Sequence, residues 1–328
     1  MQLMETQSIQ PWASFCLSTY NRPSRLKSQL ELLANQTFKN FEVIISDNDV
    51  ERSAERIVQE MNDCRFKYFA NDANLGMIKS FNQSIRRSNA EYIVMVTDDD
   101  PVKVEMLEEF CQIIDCHPGY SIYCGCIRLN KEANEIETFN ETDFIFQLLH
   151  PKLTANFLWS SCVLKKETVL KVGSIPDYGS PHFADHALLA LCSKFTGGLF
   201  INKMYSFLTA HDENFSKKNF ELYYTGCVEF RRLIQGSFEE KVYKNGNQNA
   251  LSAHLEKWFI DNSFALRNYF TYHKKNLEIV KAINAFSKKI LALDFMAAVK
   301  IKYYLKLGVF YCKMPIYLIK KLIVLRVF

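Results

Sequence analysis

Two hydrophobic periods alternate along the first 120 residues. Short apolar runs over residues 12–18, 41–46, 65–70 and 91–97 read as strands. Between them, apolar residues recur three or four apart: Leu26, Leu30 and Leu33; then Ile57, Val58 and Met61; then Ile78, Phe81 and Ile85. This spacing predicts helices over 24–34, 51–61 and 77–87, with a fourth over about 102–116. Strands alternating with helices of this length predict βαβ units and a mainly parallel sheet, an α/β fold.

Beyond residue 120 the pattern loosens. Residues 121–129 and 156–164 read as further strands, with a polar surface excursion over 131–141 and an apolar run over 144–149 between them. A short helix over 166–172 leads into a loop punctuated by Gly173, Pro176, Gly179 and Pro181. The segment 183–192 reads as a helix that Gly197-Gly198 terminates, followed by short strands over 199–202 and 205–209. From about residue 219 the chain reads as all helical. The expected organisation is therefore one domain over 10–215 and a helical, basic region over 219–328.

Three of the first four strands end in polar clusters: Thr19-Tyr20-Asn21, Asp47-Asn48-Asp49 and Asp98-Asp99-Asp100. In a right-handed parallel sheet these ends share one edge, where open α/β sheets bind ligands. The aspartate triplet offers hard oxygen ligands suited to Mg²⁺ or Mn²⁺. A solvated acidic turn that caps the next helix is the plainer alternative. The gathering of three such clusters on one edge favours a site.

Composition narrows the partners. Hydrophobic residues make up 48% and charged residues 23%, ordinary for a soluble globular protein. A net charge of only +4 implies no nucleic acid partner. The ten cysteines include no C-x-x-C pair, which argues against a zinc site and for reduced thiols in a cytoplasmic protein. The N-terminus lacks the basic and apolar regions of a signal peptide, and no uncharged run of 18 residues is present to span a membrane. Residues 281–328 carry ten Lys or Arg and one acid, Asp294, mixed with aliphatic and aromatic residues. That mixture suits peripheral contact with anionic lipid on the inner face of the cytoplasmic membrane. An ordinary helical subdomain with its lysines in water suits it equally.

The segments Ser18-Thr-Tyr-Asn-Arg-Pro23, Val43-Ile-Ile-Ser-Asp-Asn48, Asn74-Leu-Gly76 and Tyr92-Ile-Val-Met-Val-Thr-Asp-Asp-Asp100 occur in the order and spacing of family 2 glycosyltransferases. The resemblance covers roughly residues 10–215. It implies a GT-A nucleotide-sugar-binding fold and an inverting, metal-dependent transfer of a sugar from a UDP- or dTDP-sugar to a glycan, with a polyprenyl-linked acceptor in surface-polysaccharide synthesis.

Residue by residue, the resemblance implies donor contacts from Thr19, Tyr20, Asp47, Asn74, Gly76 and Asp98, with Lys79 reaching phosphate unless it is simply solvated. Asp47 would accept the imide N–H of uracil or thymine. Asp99 would bind the divalent cation, Mn²⁺ or Mg²⁺, with Asp100 beside it; the family's Asp-x-Asp-Asp pattern begins here with Thr97 instead. His211 resembles a later histidine that completes the metal shell, against the alternative of a surface-loop histidine. Asp185, in Ala184-Asp-His-Ala-Leu188, matches the general base, although Ala184 replaces the family's Glu and a plain helix cap is the alternative. Trp159, Tyr178 and His182 lie in segments expected to face the acceptor, Trp159 as a stacking platform or as a core residue. A nucleotidyltransferase on a similar sheet would need a glycine-rich phosphate loop after the first strand, and residues 19–23 contain no glycine. A binding protein with a decayed site would not need Asp47, Asp98, Asp99 and Asp185.

Overall fold

The computed structural model describes residues 10–131, 133–150, 157–209, 221–239 and 248–324. Strands β1 (Ala13–Thr19), β2 (Phe41–Asp47), β3 (Phe66–Ala70) and β4 (Tyr92–Thr97) alternate with helices α1 (Pro23–Ala34), α2 (Glu55–Met61), α3 (Met77–Arg87) and α4 (Met106–Cys116). Next come β5 (Ile122–Cys126), β6 (Ile136–Phe139), α5 (Glu141–Leu149), β7 (Cys162–Lys165), α6 (Lys166–Lys171), α7 (Ala184–Thr196), β8 (Gly198–Met204) and α8 (Leu222–Phe238). The strands form one sheet in the order β3-β2-β1-β4-β7-β5-β8-β6. β7 and β6 run antiparallel to their neighbours and the other pairings are parallel.

The apolar runs explain the layers. β1, β2 and β4 are central, so both faces must be covered and nearly every residue is buried. Phe15, Leu17, Val43, Ile45, Val94 and Val96 join Leu26, Leu30 and Leu33 of α1 and Met106, Leu107 and Phe110 of α4 in one core. Each such fully buried side chain contributes about 1.5–3 kcal/mol relative to exposure. On the other face Ile78, Phe81 and Ile85 of α3 are buried, and α3 packs against β1 and β2.

Several boundaries differ from the sequence expectation. α2 begins at Glu55, not near 51, because the preceding residues form a turn closed onto Asp47. α4 begins at Met106 because residues 101–103 pair with the chain leaving β8 instead: Lys103 N–H donates to the Tyr205 carbonyl at 2.8 Å, and Phe207 N–H to the Pro101 carbonyl at 3.1 Å. Within 205–209 only Ser206 bridges, to Val102. The polar stretch 131–141 contains the edge strand β6, paired antiparallel with β8. Of the strand expected over 156–164, Trp159–Ser161 is a 3₁₀ turn and β7 starts at Cys162.

The chain divides into two compact units, Met1–Asn247 and Gln248–Phe328, so α8 groups with the first unit and not with the helical region expected from 219. The second unit contains α9 (Gln248–Asn268), α10 (Leu277–Leu291) and α11 (Lys300–Val324). Leu255, Phe259, Ile283, Ile290, Met296 and Tyr303 are buried within it. The buried Arg267 guanidinium donates to Asn284 Oδ1 at 2.9 Å, to Ser287 Oγ at 3.2 Å and to Tyr303 Oη. Among the described residues no helix is long and apolar enough to cross a membrane.

Candidate active site

The parallel register sets the site. Thr19 at the end of β1 lies opposite Asp47 at the end of β2, and Ser18 lies opposite Thr97 of β4. The three polar clusters therefore do emerge on one sheet edge. Asn21, with φ +50°, turns the chain sharply after β1, and Pro23 starts α1. Between them Arg22 is delivered to the aspartates. Its Nη1 donates to Asp98 Oδ1 at 3.1 Å and to Asp99 Oδ2 at 3.2 Å. Thr19 Oγ1 donates to the other Asp98 oxygen at 2.9 Å. Burial lifts the Asp98 carboxyl above its ordinary value; Arg22 and Thr19 oppose that, and Asp99 adds to it.

Asp100 serves the turn itself. Its Oδ1 accepts from Thr209 N–H at 3.0 Å, its carbonyl accepts from Gln29 Nε2 at 3.1 Å, and its own N–H donates to Thr97 Oγ1 at 3.2 Å. Burial pushes its carboxyl up to about 6. The Asp47 carboxylate is likewise taken by the protein. Asp49 N–H donates to Oδ1 at 3.0 Å, while Ala54 N–H and Tyr68 Oη donate to Oδ2 at 3.1 and 2.9 Å. These bonds shape the loop after β2.

The next residue, Asn48, holds the turn over residues 74–76. Its N–H donates to the Thr19 carbonyl at 2.9 Å, its Nδ2 to Asn74 Oδ1 at 2.7 Å, and its Oδ1 accepts from Leu75 N–H at 2.8 Å. Asn74 Oδ1 also accepts from Gly76 N–H at 2.9 Å, and Gly76 caps α3 at φ +78°, a conformation that favours glycine. Beneath them, Ser18 donates to Ser80, Ser80 to Ser46, and Asn71 to Ser46, at 2.8, 3.1 and 3.0 Å. Sequence reading missed Arg22, Asn48 and this serine–asparagine network. In the sequence Arg22 stands out only as a member of the segment Ser18–Pro23, and short polar residues look like solvated loop.

Helix α7 carries Asp185. The helix runs directly into β8 through Gly197, and β8 is parallel to β5, so the N-terminus of α7 points toward the same sheet edge as Thr19 and Asp98. Asp185 sits in the first turn. His186 donates to its Oδ1 from the backbone at 2.8 Å and from Nδ1 at 2.9 Å. Burial alone would raise the Asp185 carboxyl; the His186 charge and hydrogen bonds outweigh it and hold it below the ordinary value. The preceding loop is clamped from two sides. Asn82 of α3 exchanges hydrogen bonds with the Ile175 backbone at 2.9 and 3.0 Å, and Ser180 Oγ donates to the Leu222 carbonyl of α8 at 2.9 Å. Phe183 holds a left-handed φ of +64° and stacks on Phe230 at 5.0 Å.

The other expected residues fall as follows. Tyr20 is exposed. Lys79 is exposed and lies 3.8 Å from Asp177 of the loop that precedes α7. Trp159 is 6% exposed and packs on Phe81 at 5.0 Å. His182 is buried edge-on to Tyr223, and its carbonyl accepts from Tyr178 Oη at 2.7 Å. His211 lies outside the described residues.

A family model for glycosyl transferase family 2 matches residues 14–169, the span from β1 into α6. Those residues are a family 2 glycosyltransferase domain. The chain is 28% identical over 133 residues to the Campylobacter jejuni GalNAc(5)-diNAcBac-PP-undecaprenol beta-1,3-glucosyltransferase, covering 40% of this chain and 42% of that protein. The chain spans about half the length of the curated relatives it matches. Staphylococcus aureus TarS, solved with UDP-GlcNAc, superposes with a TM-score of 0.62 at 16% identity over 88% of this chain and 81% of that one. The Pyrobaculum calidifontis mannosyltransferase PcManGT, solved with GDP-Man and Mn²⁺, superposes with a TM-score of 0.53 at 12% identity over 90% of this chain and 88% of that one. These likenesses carry the fold, which is the expected GT-A α/β domain followed by a helical region.

Proposed function

We propose that this glycosyltransferase inverts configuration, moving a sugar from a UDP- or dTDP-sugar to a polyprenyl-linked glycan in surface-polysaccharide synthesis. The observation that carries the reading is the carboxylate pair Asp98–Asp99, bridged by the Arg22 guanidinium at the sheet edge toward which the N-terminus of α7, with Asp185, also points. The TarS complex with UDP-GlcNAc and the undecaprenol-linked substrate in the Campylobacter enzyme's name support the donor and acceptor classes.

Thr19 and Asp98 hold the ribose side of the donor, and the turn at Asn74–Gly76 closes over the nucleotide. Among the described residues no three His, Cys, Asp or Glu side chains gather closely enough to hold a metal alone. A cation shared with phosphates needs only one or two carboxylates, and a pair that already holds a guanidinium fits one. Asp99 would hold the cation directly, with Asp98 beside it. The bound cation supplies Lewis-acid neutralisation of the leaving diphosphate. Asp185, kept ionised by His186, takes the proton from the acceptor hydroxyl as that oxygen attacks the anomeric carbon from the face opposite the nucleotide. Trp159 and His182 support the acceptor side through packing.

The second unit contributes a membrane-facing surface on the cytoplasmic side. On α11 the exposed Ile301, Tyr304, Leu305, Val309 and Ile316 form an apolar stripe at helical spacing, in a segment rich in lysine.

The test is turnover of a panel of UDP-, dTDP- and GDP-sugars with Mn²⁺, for the wild type and Asp99→Asn. A UDP- or dTDP-sugar should be consumed by the wild type only. Consumption of none, or equal consumption by both proteins, would contradict the reading.

A further inference from the structure

Asn82 lies buried in the middle of α3, two residues beyond Ser80. Helix interiors disfavour asparagine, and a buried carboxamide needs partners for both its donor and its acceptor. Here one residue of a distant segment supplies both. Asn82 Nδ2 donates to the Ile175 carbonyl at 2.9 Å, and Ile175 N–H donates to Asn82 Oδ1 at 3.0 Å. The two segments so joined lie on opposite sides of the site. On one side, Ser80 Oγ accepts from Ser18 at 2.8 Å and donates to Ser46 at 3.1 Å, which fixes α3 to the strands that end at Thr19 and Asp47. On the other, Ile175 opens the loop that leads to α7. Ser174, just before it, holds a left-handed φ of +67°, a conformation a non-glycine residue keeps only where its surroundings impose it. Three residues on, Tyr178 Oη donates to the His182 carbonyl at 2.7 Å. Burial and then the nearby Asp185 charge lift the Tyr178 hydroxyl above its ordinary value. The loop therefore folds back beside Asp185.

Resting on the reading of Asp185 as the base, we propose that Asn82 is a positioning residue, which fixes the 175–183 loop, and through it Asp185, against the strands that hold the donor. The reaction needs the attacking hydroxyl, the base and the anomeric carbon in register, and these are carried by elements far apart in sequence. α3 spans that gap. It starts at Gly76, beside the Asn74 turn, is anchored to β1 and β2 by Ser80, and reaches the loop through Asn82. Asn82 touches neither the donor nor the base, so its removal leaves donor binding and the acidity of Asp185 alone and lowers turnover. An asparagine that only satisfies the backbone of a surface loop behaves differently: its loss lowers stability and leaves the turnover of the folded enzyme intact.

The test compares Asn82→Ala and Asn82→Asp with the wild type, as full chains, at a temperature where melting curves show every protein folded. Asn82→Ala removes both hydrogen bonds. Asn82→Asp keeps an acceptor for Ile175 N–H but sets a second acceptor against the Ile175 carbonyl. Turnover is read as nucleoside diphosphate released, with Mn²⁺, from the UDP- or dTDP-sugar that the wild type consumes, and UDP binding by calorimetry. Both variants should lose about fivefold or more in kcat, within the roughly hundredfold that a 1 Å misplacement can cost, while UDP affinity stays within about twofold. The acid limb of the kcat profile should stay in place, because burial and His186, which set the acidity of Asp185, are untouched. Leu33→Ala, in the core under α1, supplies a loss of stability with no tie to the loop and should keep kcat within about twofold. A smaller loss of kcat in the Asn82 variants, an equal loss in Leu33→Ala, a displaced acid limb, or UDP affinity lost in step with kcat overturns the role of Asn82. Asp185→Asn, assayed beside them, tests the underlying reading separately. Undiminished turnover by that variant, or no sugar consumed by the wild type, overturns that reading and this inference with it.

Discussion

His186 donates twice to one oxygen of Asp185, from its backbone at 2.8 Å and from its ring at 2.9 Å. The pairing opposes burial and leaves Asp185 more acidic than an ordinary carboxyl. A depressed folded-state pKa contributes stability that is complete above the unfolded value, about 3.9, and is lost as pH falls through the folded value. His186→Gln removes the charge and lets burial dominate. The acid limb of the kcat/KM profile should then move to higher pH, and acid unfolding should begin at higher pH. An unchanged profile would show that the imidazole does not tune the base.

Gly226 on α8 admits no side chain. A Cβ there would lie 2.8 Å from the Cβ of His182 and 3.1 Å from Ser180 Oγ. Gly226→Ala should push the loop that leads into α7, costing about 1–3 kcal/mol of stability by overpacking. It should lower kcat while leaving UDP affinity within about twofold, because donor contacts lie on other elements. Calorimetric UDP titration beside steady-state kinetics checks the split.

Asn48 is the hub of the donor-side turn. Asn48→Ala leaves the Leu75 N–H without its acceptor and removes one of the two donors to Asn74 Oδ1, and should cost about 1–3 kcal/mol by chemical denaturation. Donor affinity should fall with it, since the 71–76 turn loses its tie to β1 and β2.

Trp159 separates packing from stacking on sugar. Its contact with Phe81 and its burial predict that Trp159→Ala destabilises by about 3–5 kcal/mol, while Trp159→Phe retains most of both stability and transfer. A folded Trp159→Phe enzyme with a large rise in acceptor KM would instead mark the ring as a sugar platform.

On α11, replacing Ile301, Leu305 and Val309 together by Glu should abolish sedimentation with phosphatidylglycerol vesicles at low salt, without changing donor turnover in solution. Equal sedimentation of both proteins would contradict a membrane-facing stripe.

The sheet and its polar edge were legible because the central strands β1, β2 and β4 carry short runs such as Val43-Ile-Ile45 and Ile93-Val-Met-Val96 that stop abruptly at polar residues. β6 was not, because an edge strand such as Ile-Glu-Thr-Phe keeps one side in water and carries little apolar signal. The start of α4 was misplaced because the pairing of residues 101–103 with 205–207 is a contact between segments a hundred residues apart. The acidic triplet was visible as a cluster, but its division of labour was not. Arg22 shares Asp98 and Asp99, whereas Asp100 faces Thr209, and only the folded turn distinguishes them.

The proposed division of labour is between donor holding at Asp98–Asp99 and proton removal at Asp185. Its most direct test is Asp185→Asn, assayed for UDP binding by calorimetry and for sugar transfer with a consumed donor. Transfer should fall by about 10²–10⁴-fold, as loss of a general base predicts, while UDP affinity stays within about threefold of wild type. Undiminished transfer, or loss of UDP binding in step with transfer, would contradict it.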